Sequence, residues 1–83
     1  MDLKLIYIYS PSCGSCKAYE GVVDKLSTVF KLECEKQNID VIKPSYKIEG
    51  IPCIILENNG VELYRSLGNI EFQQVYKDMK DFI

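Results

Sequence analysis

Leu3-Lys4-Leu5-Ile6-Tyr7-Ile8-Tyr9-Ser10-Pro11-Ser12-Cys13-Gly14-Ser15-Cys16 is the stretch that decides how this chain folds. Residues 3–9 form a nearly unbroken apolar, β-branched run of strand length, the pattern of an interior strand covered on both faces. Ser10-Pro11-Ser12 stops it. Beyond the cysteines, apolar side chains at Tyr19, Val22, Val23, Leu26, Val29 and Phe30 recur at spacings of three and four, one side of a helix. Counted back by the same period, Cys16 joins that buried stripe and Cys13 lies at the helix mouth.

Two thiols in a Cys-x-x-Cys pair at a strand-to-helix junction point to redox chemistry. The unpaired N–H groups of a first helical turn and the positive end of the helix dipole favour a thiolate at Cys13. A partly exposed Cys13 then attacks and a sheltered Cys16 resolves. The chain has no histidine, so helix-terminal amides, helped by Lys17, are the evident local source of activation.

A Cys-x-x-Cys pair can also be half of a zinc site, which needs two more ligands. The other cysteines, Cys34 and Cys53, are single residues in apparent strands, with no histidine and no second Cys-x-x-Cys, and this disfavours zinc. A buried inert pair is disfavoured too, because packing alone does not call for two thiols at a Pro/Ser/Gly-rich helix entrance. Cys34 and Cys53 themselves read as small core residues. No metal and no organic cofactor is expected beyond a redox-active Cys13/Cys16 disulfide.

Eighty-three residues suit one domain, 1–83, with a core that is small but feasible without staples. The apolar fraction of 47% is normal for a globule, and no run approaches the roughly 20 apolar residues of a membrane span. Met1-Asp2 leads straight into the first strand with neither a basic leader nor a small-residue cleavage site, so a cytoplasmic location is expected. There, four cysteines argue for a transient, catalytic disulfide over a structural framework. Ten basic against twelve acidic residues give a net charge of −2, which recommends neither nucleic acid nor an anionic membrane as partner.

The remaining elements follow from period and punctuation. Residues 30–35 alternate, with Phe30, Leu32 and Cys34 on one face, as in a half-buried strand near an edge. Strand, helix, strand in this order predicts a parallel βαβ unit. Residues 40–47 suggest a short, weakly helical connection. Residues 51–56 and 61–65 flank Asn58-Asn59-Gly60, a hairpin signal. Asn69 is positioned to cap a last helix with apolar residues at Phe72, Val75, Tyr76, Met79, Phe82 and Ile83. The expected order is β-α-β-(α)-β-β-α, an α/β fold whose four-stranded mixed sheet has helices on both faces.

With these elements in place the chain resembles the thioredoxin and glutaredoxin family over nearly its whole length. Cys13-Gly14-Ser15-Cys16-Lys17 matches the active-site turn, residues 31–40 the next strand and its exit, and residues 46–52 the approach to the family's cis-proline. Asn58-Asn59-Gly60 matches its hairpin and Gly68 the position before the last helix. The family's N-terminal strand and helix are missing, so the resemblance implies a minimal version of the fold. It also implies a cis Ile51-Pro52 bond beside the sulfurs, although only roughly 5–6% of X-Pro bonds in folded proteins are cis. The backbone of Ile51 would pair with an extended substrate, within a groove bounded by Ser10, Pro11, Ser12, Gly14, Ser15, Gly50 and Gly68.

The departures from the family are informative. Ser12 and Ser15 replace the tryptophan and proline usual in thioredoxins. Tyr7 stands where they carry a buried carboxylate, six residues before the nucleophile, and Lys36 matches the lysine that pairs with it. Gly21 occupies the place of a helix-kinking proline, marking a bend or a packing need. The entrance at Ser10-Pro11-Ser12 looks more like glutaredoxins, the C-terminal half more like thioredoxins. Asn69 and Ile70 replace the second glycine and acidic residues of glutathione-binding members.

The resemblance therefore implies a monomeric thiol-disulfide oxidoreductase that reduces protein disulfides through Cys13 and Cys16, recharged by a thioredoxin-reductase-like donor or by glutathione. Tyr7, Lys17 and Lys36 stand as candidate modulators. The alternatives are a glutathione-dependent glutaredoxin-like reductase, or a binding module on the same scaffold.

Overall fold

The computed structural model describes residues 3–44, 46–68 and 71–83. Six elements follow in order: β1 (Leu3–Tyr9), α1 (Gly14–Phe30), β2 (Glu33–Asn38), β3 (Cys53–Asn58), β4 (Val61–Leu67) and α2 (Phe72–Lys80). They build a four-stranded mixed sheet of order β2-β1-β3-β4. β1 pairs in parallel with β2 and antiparallel with β3, and β3 pairs antiparallel with β4. A strand with a neighbour on each side and layers above and below needs apolar residues at every position, and Leu5, Ile6, Tyr7 and Ile8 are all buried.

Alternate residues of the central strands face two separate clusters. On one side Leu5 and Tyr7 of β1 and Ile54 and Leu56 of β3 meet Tyr19, Val23 and Leu26 of α1 with Val75 and Met79 of α2. On the other, Ile6, Ile8, Cys53 and Ile55 are covered by Tyr46, Ile48 and Ile51. Both helices therefore lie on one face. This corrects the expectation of helices on both: the connection from β2 to β3 covers the second face, and none of its described residues is helical. Three apolar side chains in an irregular segment do the covering, without the periodic stripe a helix would need.

β2 begins three residues later than expected, because α1 runs through Phe30 and ends at Lys31 in the left-handed region (φ 54°, ψ 47°). The Leu32 N–H then donates to the Ser27 carbonyl at 2.9 Å, satisfying one of the last helical acceptors. Val29, placed on the buried stripe by period alone, is exposed. The hairpin forms as expected, with positive φ at both Asn59 (52°) and Gly60 (82°), the signature of a type I′ turn. Glu71 holds the N-cap position of α2 without a side-chain cap bond, and Asn69, the expected cap, lies outside the described residues. Phe82 and Ile83 fall beyond the end of α2 and are exposed. Among the described residues no helix is long and apolar enough to cross a membrane.

Candidate redox site

The C-terminal end of β1 delivers the chain into the Ser10–Ser12 turn, and the turn delivers Cys13 to the start of α1. Ser10 organises this passage. It is buried, its carbonyl accepts the Cys13 N–H at 3.0 Å, and its hydroxyl donates to Asp40 Oδ2 at 2.6 Å. With that hydrogen committed to the carboxylate, Ser10 Oγ acts as acceptor for the Ser12 N–H (3.3 Å) and the Ser12 hydroxyl (2.9 Å). Asp40, just beyond β2, thus braces the entrance of α1 from a neighbouring strand. Sequence reading missed Asp40, since the contact spans 30 residues and no local pattern signals it.

Cys13 is the N-cap residue of α1, in extended conformation (φ −90°, ψ 109°), and its Sγ accepts the Cys16 N–H at 3.1 Å. A sulfur in that position takes the place of a capping oxygen and receives one of the unpaired donors of the first turn. Ser15 Oγ lies 3.5 Å from the same sulfur. No acidic residue occupies the first turn, so nothing there opposes the positive end of the helix dipole. Cys13 and Cys16 are joined as a disulfide, with Cα atoms 5.2 Å apart. Their surroundings are unequal: Cys13 is half-buried, whereas Cys16 retains 1% of its accessibility.

Tyr7 does reach Cys16, but at the backbone. Its hydroxyl donates to the Cys16 carbonyl, and not to the sulfur. Burial pushes its phenol up to about 12, with the nearby Glu20 adding to the effect. At neutral pH Tyr7 is therefore a fixed donor and no base.

Lys36 finds different partners from a strand carboxylate. Its Nζ lies 3.0 Å from Glu20 and 3.1 Å from Asp24, both on α1, and these hydrogen bonds hold it charged well above the usual lysine range. Lys17 is exposed on the first turns of α1. A cavity of about 290 Å³ opens beside Cys16, lined by Tyr9, Ser10, Pro11, Cys16, Lys17 and Glu20.

The Ile51-Pro52 bond is cis. Ile8 pairs with Cys53, so Pro52 lies at the end of the sheet from which β1 feeds the Cys13 turn. Gly68 (φ 87°) donates its N–H to the Pro52 carbonyl at 2.9 Å, closing the same end of the β3–β4 pair. A groove of about 420 Å³ runs beside Ile51 and is walled by Ile39, Pro44, Tyr46, Ile48 and Gly50 among others. Gly14 and Ser15 are exposed at the head of α1 beside Ser12. The remaining cysteines stand apart in character. Cys53 is buried in the cluster on the face away from α1, Cys34 is half-buried on β2, and burial raises both thiols.

Comparison with known proteins fits this geometry. The family model described as thioredoxin matches residues 1–81. The thioredoxin-like protein YusE of Bacillus subtilis is 26% identical over 87 aligned positions, covering 95% of this chain and 78% of that protein. Among solved structures, thioredoxin from Schistosoma mansoni superposes with a TM-score of 0.85 at 24% identity, over 99% of this chain and 80% of the other. Thioredoxin 1 from Thermosipho africanus gives 0.81 at 20% identity, over 95% and 92%.

Proposed function

The chain belongs to the thioredoxin family, and from that premise we propose that it is a thiol-disulfide oxidoreductase that reduces disulfides in protein substrates. The observation that carries this reading is the inequality of the two sulfurs: Cys13 caps a helix and is accessible, while Cys16 is buried beneath it.

In the reduced protein the Cys13 thiolate keeps the helix-end donors that its sulfur already uses. It attacks one sulfur of a substrate disulfide, and the other substrate sulfur leaves with the electron pair. A mixed disulfide results. Cys16 then attacks Cys13 Sγ, releasing the second substrate sulfur and regenerating the internal disulfide. The substrate lies extended along Ile51 and Pro52, with the apolar groove at Ile39, Tyr46 and Ile48 accommodating side chains next to its cystine. Ser12, Gly14, Ser15 and Gly68 bound the approach. A dithiol reductase of the thioredoxin-reductase type returns the electrons.

Trapping tests the assignment. Cys16→Ser should accumulate a mixed disulfide with a protein substrate, while Cys13→Ser should neither reduce nor trap it. Preferential alkylation of Cys16 over Cys13 in the reduced protein near neutral pH would reverse the roles.

A further inference from the structure

Resolution of the mixed disulfide requires Cys16 to lose a proton, because the thiolate and not the thiol is the nucleophile. Cys16 is almost fully enclosed, and burial disfavours the charged sulfur. The chain has no histidine, and the Tyr7 hydroxyl is committed to the Cys16 carbonyl. Neither an imidazole nor this phenol takes the proton.

Glu20 lies four residues beyond Cys16 in α1, hence one turn along the same helix face. Both line the 290 Å³ cavity, which is large enough for several waters at roughly 30 Å³ each. Lys36 on β2 binds Glu20 at 3.0 Å and anchors it between helix and sheet. Asp24 makes the same kind of pair with Lys36, one turn further on, yet is not part of the cavity wall.

We propose that Glu20 is the proton acceptor for Cys16 during resolution, reached through the solvent of the cavity that both residues line and held in place by Lys36. The proposal rests on the dithiol reading above. Cys16 Sγ–H gives its proton by way of cavity solvent to a Glu20 carboxylate oxygen. The Cys16 thiolate then bonds to Cys13 Sγ, and the bond between Cys13 and the substrate sulfur breaks. The electron pair leaves on that substrate sulfur, which takes back a proton from the Glu20 carboxyl or from solvent. Two electrons have then passed from the dithiol to the substrate cystine.

The charged and titratable groups around Glu20 are few. Lys17 and Asp24 share its helix, Tyr7 and Tyr9 face it from β1, and Lys36 faces it from β2. Asp40 touches the cavity wall only through Ser10. Lys36 and Lys17 stand near the single negative charge that passes from Glu20 to Cys16 with the proton transfer.

Single-turnover reaction of the reduced protein with a disulfide-bearing protein, quenched with acid, resolves formation of the mixed disulfide from its decay. Glu20→Gln should leave formation unchanged and slow decay about tenfold at neutral pH. That is less than the roughly 10²–10⁴ of a fully positioned acid–base group, since cavity solvent remains an alternative acceptor. The decay rates of variant and wild type should converge as pH rises, and Glu20→Asp should fall between them. Asp24→Asn, which removes the other partner of Lys36, should decay at the wild-type rate. The proposal is overturned if Glu20→Gln decays like wild type at every pH, if Asp24→Asn slows decay as much, or if Asp40→Asn alone does so. Failure of wild type to form any mixed disulfide would instead bring down the dithiol reading itself, and this proposal with it.

Discussion

Tyr7 donates its phenol hydrogen to the backbone carbonyl of Cys16, so the centre of the sheet grips the first turn of α1 by its peptide and not by its sulfur. The contact fixes where Cys16 sits without tuning its acidity directly. Tyr7 also stacks on Tyr9, with ring centroids 5.3 Å apart, and meets Tyr19 at 6.4 Å. Its ring therefore stays anchored when the hydroxyl is removed.

Tyr7→Phe should accordingly cost stability and spare chemistry. One buried hydrogen bond is worth about 0.5–1.5 kcal/mol net, and the Cys16 carbonyl keeps access to the helical N–H ladder, so the lower half of that range is expected. Urea unfolding of the oxidised protein measures the loss. Decay of the mixed disulfide should stay within about twofold of wild type, a factor corresponding to roughly 0.4 kcal/mol. A much larger kinetic effect would mean that the hydroxyl acts on the sulfur in the reduced state.

Stability should decline at alkaline pH. Burial first, with added effects from Glu20 at Tyr7, Glu57 at Tyr46 and Asp78 at Tyr64, pushes all three phenols up to about 12. A group whose folded pKa is raised stabilises fully below its unfolded value, near 10 for tyrosine. That contribution is lost as pH climbs from about 10 to about 12, because the unfolded chain releases the proton first. Tyrosinate absorbance should show these three, together with Tyr19, whose phenol burial also raises, titrating late among the six tyrosines, in step with loss of helical circular dichroism. Early, non-cooperative titration of all six would contradict it.

What the sequence disclosed tracks what local pattern can encode. Leu5 to Ile8 announce a doubly covered strand because every residue must be apolar, and Asn59-Gly60 announce their turn because both need positive φ. Phe30 satisfied a helical and a strand period alike, and only the left-handed cap at Lys31 decides between them. β2 is poor in apolar side chains and owes its place to the ladder with β1, from Lys4↔Glu33 to Tyr9↔Asn38. Its frame was therefore invisible to hydrophobic periodicity. Long-range polar contacts such as Ser10–Asp40 and Lys36–Glu20 leave no local trace at all. The helical spacing of Cys16 and Glu20, by contrast, is local and places both within one turn of α1.

Gly21 is a case where the structure removes one of two sequence readings. It sits on the exposed side of α1, and a Cβ built there meets nothing within 4 Å, so no packing need explains it. Gly21→Ala should stabilise the protein by about 0.5–1 kcal/mol through helix propensity and a less flexible unfolded chain. Thermal or urea unfolding reads this directly. A loss of stability would show that α1 requires a backbone geometry at residue 21 that alanine resists.

The last prediction concerns Ser15 and the reduction potential of the Cys13/Cys16 couple. Ser15 Oγ lies 3.5 Å from Cys13 Sγ, so in the reduced protein its hydroxyl can turn toward the thiolate and donate, which a proline at this position could not. A thiolate stabilised in the reduced form makes the couple less reducing. We therefore expect a potential between thioredoxin's approximately −270 mV and the roughly −200 mV end of the glutaredoxin range. Ser15→Ala should shift it toward more reducing values. The sulfur is only half-buried, so the bond should contribute less than one to a buried charge; about 0.7 kcal/mol corresponds to about 15 mV for this two-electron couple. Ser15→Pro should move it the same way. Equilibration against a glutathione buffer of known poise gives the numbers. A wild-type value near about −120 mV would make this protein an oxidant, and a Ser15→Ala value less reducing than wild type would remove the hydroxyl from the account of thiolate stabilisation.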